Sequence, residues 1–378
     1  MEIAVMGAGI AGLMTAITLQ AQGHNCRVYE RSRQAQDAGM GFIVLPEGIR
    51  SLQRFGVQLT GQAGGTSLKR HICRDAAGRV VLEQAMPVGT LGIRRRELIG
   101  ALMRTLRECG TMVLDAELSR LEVGEDSHVV AAHMKSSTGA FRITADLYVG
   151  AEGVSSRARQ ALFPGWPVTP ARVPEMVGLV RCQEAVAWAA HNLNKFHADN
   201  GGIALGVLPV DSEHVVWYLQ FDSLRFPASS ELIDRNGQGG EARQELVEKL
   251  VGKWAFPIPA LLRATDFSQV HLWRPIDSDL IPSFHRGNLA LVGDAAHPLS
   301  PFTSQGVSSA IADALALAEE VNGAKSPDDL ERGLARYSAT RREECAPYIA
   351  KGREMTERFL EPLSESSGML PVAVGAGA

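Results

Sequence analysis

Three glycines and one acid near the start of the chain have the types and spacing of a nucleotide-binding motif. Gly7, Gly9 and Gly12 follow an apolar stretch, and Glu30 stands 18 residues after Gly12. We assign the first glycine to a tight turn, the second to close approach of a pyrophosphate and the third to helix packing. The carboxylate of Glu30 can accept hydrogen bonds from ribose hydroxyls. An acid at this position favours a free 2′-hydroxyl, so the motif predicts FAD or NAD rather than NADP.

A strand, a helix and a second strand must hold this motif. Residues 3–6 form an apolar strand, residues 13–21 have helical periodicity, and residues 26–29 form a second strand that ends at Glu30. A glycine motif alone is weak evidence, but this whole βαβ arrangement within about 30 residues is specific. Ala11, which lies inside the motif, is also predicted to contact the cofactor. For Arg31, the sequence leaves open whether it flanks the adenine or is a solvated surface side chain.

A second acid follows another strand near residue 290. The apolar stretch 288–292 ends at Gly293 and Asp294, and open α/β sheets hold ligands at the carboxyl ends of their strands. Prolines stiffen the next loop, and helical periodicity then runs from Gly306 to residue 321. The helix start, with unpaired N–H groups and a positive dipole end, suits negative charge. An acid that binds hydroxyls, next to a helix start that binds negative charge, fits a polyol-linked cofactor that becomes anionic, as a reduced flavin does. The predicted flavin-edge residues are Pro301, Ser304, Gln305, Gly306 and Val307.

The rest of the chain suggests a second, strand-rich region. Four prolines between residues 164 and 174 precede β-branched and aromatic strand material that extends to about residue 271. We predict single strands at 112–123 and 269–275, the second returning to the cofactor domain, and a helix at 328–341. The sequence leaves open whether several side chains line a pocket or belong to the core: Trp188, Phe196, His197, Trp217, Tyr218 and Phe221. We expect His297 to fix its loop rather than to act as a base.

Composition narrows the class of protein. The chain has 378 residues, of which 45% are hydrophobic and 21% are charged, which suits two domains with a sizeable core. The net charge of −4 argues against nucleic acid or an acidic membrane surface as a partner. Five scattered cysteines predict neither a disulfide framework nor a metal site, and they favour a reducing compartment. No run of 18 apolar residues occurs, so we predict a cytoplasmic protein without a membrane span.

Taken together, the separated motifs resemble the single-component FAD-dependent aromatic hydroxylases, the para-hydroxybenzoate hydroxylase-like flavoprotein monooxygenases. The resemblance runs from Met1 to about Ala350. It implies that Arg95, which precedes Arg96-Glu97-Leu98, contacts the flavin, although the sequence alone allows a solvated basic patch there. It also implies that Asp294 binds the ribityl hydroxyls.

Three positions depart from the family pattern. Glu152, before Gly153, stands where an aspartate that serves both FAD and the nicotinamide cofactor is usual. Ser304 replaces the first glycine of the flavin-edge loop, and Ser308 stands where asparagine is common. The longer acid keeps its charge but changes its reach, and the serine adds a hydroxyl where the family has bare backbone.

The resemblance implies an α/β fold in which a Rossmann-like FAD-binding domain of the glutathione reductase type is interleaved with a smaller mixed-sheet substrate domain, followed by C-terminal helices. We predict that residues 1–72, 92–171 and 272–345 form the cofactor domain and that 73–91 and 172–271 form the substrate domain. Residues 346–378 are predicted to be a C-terminal helix and a frayed tail.

The resemblance also implies a reaction. NADH or NADPH would dock transiently and reduce the FAD, and O2 would form a flavin C4a-hydroperoxide that hydroxylates an aromatic or related electron-rich small molecule. Two alternatives remain on the same scaffold: an FAD-dependent reductase or dehydrogenase, and a flavin-binding protein without monooxygenase activity. The sequence is compatible with a monomer or a homodimer.

Overall fold

The computed structural model describes residues 1–33, 40–59, 64–107, 111–125, 127–227 and 239–363. In chain order, the strands are β1 (Glu2–Met6), β2 (Asn25–Tyr29), β3 (Gly41–Val44), β4 (Thr66–Ser67), β5 (Arg70–Asp75), β6 (Val80–Ala85), β7 (Leu91–Arg94), β8 (Thr111–Val113), β9 (Glu117–Val123), β10 (Val129–Ser136), β11 (Gly139–Ile143), β12 (Leu147–Gly150), β13 (Thr169–Pro170), β14 (Glu175–Arg181), β15 (Asn192–His197), β16 (Ile203–Pro209), β17 (His214–Phe221), β18 (His271–Trp273), β19 (Ile276–Asp277), β20 (His285–Arg286) and β21 (Leu289–Leu291). The helices are α1 (Ile10–Gln20), α2 (Pro46–Arg54), α3 (Arg95–Arg107), α4 (Arg157–Leu162), α5 (Gln183–Ala189), α6 (Gly240–Val251), α7 (Ile258–Ala264), α8 (Gly306–Val321) and α9 (Pro327–Leu360).

The first sheet carries both strand-and-acid motifs. Its strand order is β20-β21-β12-β1-β2-β8, with β21, β12, β1, β2 and β8 parallel and β20 antiparallel at one edge. Because parallel strands end at the same edge of a sheet, the residues after β1, β2, β12 and β21 lie along one line. The first of these segments holds Gly7, the next two hold Glu30 and Glu152, and the last holds Asp294.

The second large sheet has the order β18-β14-β17-β16-β15-β5-β6, and only the β15–β5 pair within it is parallel. One face buries Phe196, Trp217 and Phe221 in a core that α5, α6 and α7 cover. Side chains alternate between the faces of a strand, so their neighbours His197 and Tyr218 lie on the other face. On that face, Tyr218 packs against a separate apolar cluster that contains Ile43 and Leu45. Alternation therefore decides which aromatic candidates belong to the core.

The two C-terminal helices differ in how well the sequence predicts them. Helix α8 begins at Gly306 as predicted and buries its apolar face. Helix α9, however, is 34 residues long, so the prediction of a helix ending near residue 341 is wrong. Pro347 lies inside α9 without ending it, because tertiary packing outweighs its local cost. The predicted frayed tail, 364–378, lies outside the described residues.

Two other predictions from periodicity are wrong. The stretch 112–123 is two strands, because the chain turns at Asp115, which has φ +56°, between β8 in the first sheet and β9 in a separate three-stranded sheet. Strand β18 pairs with β14 in the second large sheet and does not return to the first. Periodicity reports that a segment is extended, but it carries no information about the partner strand.

The α/β fold class, with two large sheets and C-terminal helices, is confirmed. The division into two interleaved domains stays a prediction. Its boundaries after residues 72 and 271 fall inside β5 and β18, so strand integrity favours shifting each boundary by a few residues. Among the helices of the described ranges, none is long and apolar enough to cross a membrane.

Candidate active site

The glycine motif forms a turn without room for larger residues. A Cβ atom at Gly7, which has φ +112°, would lie 2.3 Å from the carbonyl oxygen of Ala151, and one at Gly12 would lie 2.0 Å from the carbonyl oxygen of Gly7. At Gly9, by contrast, a Cβ would meet no atom within 4 Å. The backbone at Gly9 is therefore open on the side from which a pyrophosphate would approach.

Backbone N–H groups hold the Glu30 carboxylate beside the glycine motif. Its Oε2 accepts the N–H of Ala8 at 2.8 Å, and its Oε1 accepts the N–H of Ser32 at 2.9 Å. A carboxylate offers about four lone-pair sites, so these two bonds leave acceptors for ribose hydroxyls. The backbone bonds fix the orientation of the carboxylate before a ligand binds.

Replacing Glu30 by alanine is expected to weaken FAD binding by about 1–3 kcal/mol, the scale of hydrogen bonds to a charged group. Glu30→Gln keeps one carbonyl acceptor and should lose less. Fluorescence titration of the apoprotein with FAD measures the dissociation constant. Glu184→Ala, at an exposed position of α5, is the control. Equal affinity in Glu30→Ala and wild type would place this carboxylate away from the ribose.

Six predicted cofactor-binding residues line one cavity of about 200 Å³ at the carboxyl edge of the first sheet. They are Gly7, Gly9, Glu30, Arg31, Arg95 and Glu152. The other predicted residues do not line this cavity. Ala11 faces Gly293, where an added Cβ would come within 2.8 Å of the Ala11 Cβ, so the two motifs pack against each other.

Within the arginine triplet, the structure separates the three side chains. Arg94 pairs with Asp211 at 3.5 Å, and Arg96 pairs with Glu97 at 3.2 Å. Arg95 lines the cavity. Burial lowers the pKa of Arg95, and the carboxylates of Asp294 and Glu30 oppose that shift. Arg95 is thus the member of the triplet whose charge interacts with both Asp294 and Glu30.

Glu152 turns back onto its own loop. Its Oε1 accepts the N–H of Ala158 at 3.0 Å, and its Oε2 accepts the hydroxyl of Ser156 at 2.7 Å. Burial raises the pKa of Glu152, and these bonds oppose that shift. The extra methylene of glutamate therefore lets the carboxylate hold the start of α4, although the residue still lines the cavity. A contact with a nicotinamide nucleotide remains a prediction.

Arg159 joins the two acid-bearing loops. Its Nη1 donates to the carbonyl oxygens of Asp294 at 3.0 Å and Ala295 at 3.2 Å, and its Nη2 donates to the carbonyl oxygen of Val154. Within the described part of the chain, no residue donates a hydrogen bond to the Asp294 carboxylate. Burial raises the pKa of Asp294, and the charges of His297, Arg159 and Arg95 oppose that shift. A partly buried carboxylate with free lone pairs fits the hydroxyls of a ribityl chain.

A buried ion network beneath Asp294 escaped the sequence analysis. Asp313 of α8 is fully buried and accepts the N–H of Gly293 at 2.6 Å, His297 Nε2 at 2.7 Å and Arg341 Nε at 2.7 Å. Cys345 also lies close enough for the group to resemble a metal site. The Asp313 oxygens already receive three N–H donors, two of them on cationic side chains. We therefore describe the cluster as a network that fixes the Gly293-Asp294 turn, which agrees with a loop-fixing His297.

The contribution of the network to stability should depend on pH through His297 and Asp313. Burial lowers the pKa of His297, but the Asp313 carboxylate outweighs burial and raises it well above 6.5. Burial raises the pKa of Asp313, but His297 and Arg341 outweigh it, so the pKa lies below 3.8. The His297 contribution is complete below pH 6.5, the pKa of the unfolded histidine, and is lost progressively as pH rises from there through the raised pKa. The Asp313 contribution is complete above pH 3.8 and is lost progressively as pH falls from there through the lowered pKa.

We therefore expect the excess unfolding free energy of wild type over Asp313→Asn to decrease as pH rises from 6.5 to 8. Urea unfolding at several pH values measures this difference. A difference that stays constant from pH 6.5 to 8 would mean that His297 is neutral in the folded protein.

The flavin-edge loop ends in a helix start that lacks a side-chain cap. A 3₁₀ turn at Pro301–Thr303 is followed by Ser304, which has φ +52°, and by Gln305, whose side chain does not cap α8. Within the described ranges, the first N–H groups of α8 therefore have no side-chain acceptor, and the buried Ser308 hydroxyl has no hydrogen-bond partner. Free N–H groups, an orphan hydroxyl and the free Asp294 carboxylate together fit a flavin.

We expect Ser304→Gly to leave FAD bound but to change the flavin's reduction potential or reduction rate. Serine here occupies the left-handed region, which glycine adopts without a Cβ penalty, and its hydroxyl is removed from the predicted flavin edge. Spectroelectrochemical titration and stopped-flow reduction measure the two quantities. Ser119→Gly, in β9, provides a serine-to-glycine control away from the loop. If Ser304→Gly leaves both quantities unchanged, the loop does not contact the flavin as predicted.

Comparison with known proteins agrees with this geometry. The family model for the FAD binding domain matches residues 1–349. The 3-amino-4-hydroxybenzoate 2-monooxygenase of Streptomyces cremeus is 28% identical over 96% of this chain and 88% of its own length. The 6-hydroxynicotinate 3-monooxygenase of Pseudomonas fluorescens is 26% identical over 91% of this chain and 88% of its own length.

A solved structure supports the fold independently. Klebsiella pneumoniae HpxO complexed with FAD and uric acid superposes with a TM-score of 0.79 at 22% identity, over 95% of this chain and 88% of that one. At this identity the likeness concerns the fold alone. The family model, however, covers almost the whole chain, including both acid-bearing turns of the first sheet. The chain therefore belongs to the FAD binding domain family, and it is an FAD-dependent monooxygenase of the hydroxylase type.

Proposed function

We propose that this enzyme uses NADH or NADPH and O2 to hydroxylate an aromatic or related electron-rich small molecule. One oxygen atom enters the ring as a hydroxyl group, and the other leaves as water. The nicotinamide nucleotide supplies the two electrons as a hydride. When bound, the flavin supplies the redox chemistry, accepting that hydride and activating O2.

One observation carries the proposal: the predicted cofactor contacts and a covering sheet face meet at the flavin-edge loop. The strand ends with Glu30 and Asp294 share one edge of the first sheet. From the second large sheet, Lys195 Nζ lies 5.0 Å from the ring centroid of Phe302, which belongs to the loop. A flavin bound along the edge would have its reactive ring near this junction. This supports the proposal that residues 73–91 and 172–271 cover the isoalloxazine.

In this proposal the chain binds the flavin, orients it and shields it from water. Asp294 accepts hydrogen bonds from the ribityl hydroxyls, and Arg159 holds the loop of Asp294 against the neighbouring turn. The uncapped start of α8 stabilises negative charge at the pyrimidine edge of the reduced flavin, a contribution of about 0.3–1 kcal/mol at a surface and roughly 2 when partly buried. The second sheet excludes water from the reacting atoms. No side-chain nucleophile is required.

The substrate class is proposed from the relatives and the pocket. The two curated relatives are named for hydroxylating a hydroxybenzoate and a hydroxynicotinate, and the HpxO structure contains uric acid. All three compounds are small, polar ring systems. The sequence has a single strong nucleotide fingerprint, so the nicotinamide nucleotide is proposed to dock transiently and then leave.

Parallel measurements of NAD(P)H oxidation and O2 consumption test the function. With a panel of phenols and heteroaromatic acids, a monooxygenase consumes both in a substrate-dependent way and gives a product heavier by one oxygen atom. A reductase would oxidise NAD(P)H without O2 and give a reduced organic product. A flavin-binding protein without this activity would show neither. Isotopically labelled O2 identifies the oxygen in the product.

A further inference from the structure

A second cavity lies between the large second sheet, the turn that contains Phe302 and the C-terminal end of α9. It is lined on the sheet side by His71, Cys73, Lys195 and His197, and opposite them by Phe302 and Phe359. Its volume is about 40 Å³. That space holds a carboxylate or a few waters, but not a whole benzene ring, for which a cavity of about 150 Å³ is needed.

Lys195, in the middle of β15, is only 3% exposed. Its Nζ lies 5.0 Å from the ring centroid of Phe302, 5.9 Å from that of Phe359 and 6.0 Å from that of Tyr218. Across the described ranges of the chain, it makes neither an ion pair nor a hydrogen bond. Burial lowers the pKa of Lys195 to about 8, so the side chain is cationic in most molecules at pH 7. Contacts with aromatic rings compensate a buried cation only in part.

The buried carboxyl of Glu175 interacts with Lys195 only at a distance, since no ion pair joins the two side chains. Glu175 accepts a hydrogen bond of 2.5 Å from Gln220 instead. Burial raises the pKa of Glu175, and the Gln220 hydrogen bond and the charge of Lys195 oppose that shift. At the mouth of the cavity, Arg358 is already paired with Glu354 at 2.8 Å. Lys195 is therefore the cation of this cavity that has room for a ligand's charge.

His71 supplies a second, independent observation that points to a ligand. It is 1% exposed, and neither ring nitrogen has a hydrogen-bond partner among the described residues. Burial, followed by the positive charge of Lys195, lowers the pKa of His71 to about 3, so the ring is neutral. A neutral imidazole carries one N–H donor and one acceptor. Leaving these groups unpaired costs free energy, and a ligand acceptor would recover the part that belongs to the N–H.

We propose that this cavity binds the carboxylate of an aromatic acid substrate, with Lys195 as its counter-ion and His71 as a second donor. A carboxylate matches the cavity in size and takes one donor on each oxygen. The ring would then extend from the cavity along Phe302, which belongs to the flavin-edge loop. The inference rests on the proposed function, which it deepens by naming the substrate class and the residue that selects it.

Calorimetric titration of the FAD-loaded protein tests the subsite without turnover. The probes are aromatic acids paired with their neutral carboxamides: benzoate with benzamide, nicotinate with nicotinamide, and quinoline-2-carboxylate with its amide. Wild type should bind at least one acid about tenfold to hundredfold more tightly than its amide, the range of a charge-assisted hydrogen bond. Lys195→Met should abolish this preference, and Lys195→Arg should restore part of it.

Lys253→Met, which removes the same charge at an exposed turn, should keep the wild-type preference. The flavin absorbance of each variant reports whether it folds and retains FAD. The proposal is overturned if no acid is preferred by the wild type, or if Lys195→Met keeps the preference. A loss of FAD in Lys195→Arg as well as Lys195→Met would also overturn it, because Lys195 would then serve the cofactor.

The two proposals fail in distinguishable ways. Acids that bind through Lys195 without stimulating NAD(P)H and O2 consumption would leave the subsite intact and refute the proposed hydroxylation. Conversely, equal stimulation by acids and by their amides would support hydroxylation and refute the carboxylate subsite.

Discussion

Asp294→Ala is expected to be purified largely without FAD. In wild type, this carboxylate lies at the carboxyl edge of the first sheet with no hydrogen bond from a described residue. We predict that it accepts the ribityl hydroxyls, and losing hydrogen bonds to a charged group costs about 1.5–3 kcal/mol. The dissociation constant of FAD should therefore rise roughly tenfold to 150-fold. Arg95 and Arg159 also lose the opposing charge that acts on both of them.

The ratio of flavin to protein absorbance after gel filtration gives a first measurement, and fluorescence titration gives the dissociation constant. Asp294→Asn retains an acceptor oxygen and should fall between alanine and wild type. Asp199→Ala, at an exposed position after β15, controls for the loss of a carboxylate. Wild-type affinity in Asp294→Ala would refute the assignment of this residue to the ribityl chain.

Asp313→Ala is expected to lower the free energy of unfolding by about 3–5 kcal/mol, since removing one partner of a buried ion pair leaves the other charge uncompensated. Here two cationic partners, His297 and Arg341, lose the same carboxylate, and the N–H of Gly293 loses its acceptor. The Gly293-Asp294 turn would also lose its anchor. FAD affinity should therefore fall together with stability.

Urea unfolding of the apoprotein separates the stability effect from any contribution of bound FAD. Asp313→Asn keeps the shape and an acceptor, so it isolates the loss of charge, and Asp199→Ala again serves as the exposed control. If Asp313→Ala proves too unstable to purify, His297→Gln removes one partner and should destabilise less. A change below about 1 kcal/mol in Asp313→Ala would show that the network does not support the fold.

Local sequence patterns predicted the elements that carry the cofactor motifs. Glycines at 7, 9 and 12 require a close turn that larger residues cannot enter, so their spacing specifies the strand, turn and helix around them. The start of α8 was predictable for a similar reason, because prolines prevent an earlier helix and an apolar face begins at Gly306. These features depend on neighbours within about 30 residues, which the sequence displays directly.

Partners far apart in the chain were not predictable. Strand β18 was assigned to the wrong sheet, and α9 was cut short, because the contacts that decide both come from distant segments. The residues of the buried network illustrate the same limit. Asp313 in an apolar helix face could have been noticed as a polar residue at a core position, but nothing local connects it to Arg341.

The sequence by itself determined the dinucleotide motif, the order of the acid-bearing turns and the resemblance to FAD-dependent hydroxylases, since each depends on spacing along the chain. Only the tertiary structure decided that Glu152 turns back onto α4 and that Lys195 and His71 share a cavity beside Phe302. Strand β15 pairs with β5, more than 100 residues earlier, and alternation then points Lys195 to the face opposite Phe196. Such a site exists only once the strands have paired, because pairing and burial create it rather than spacing.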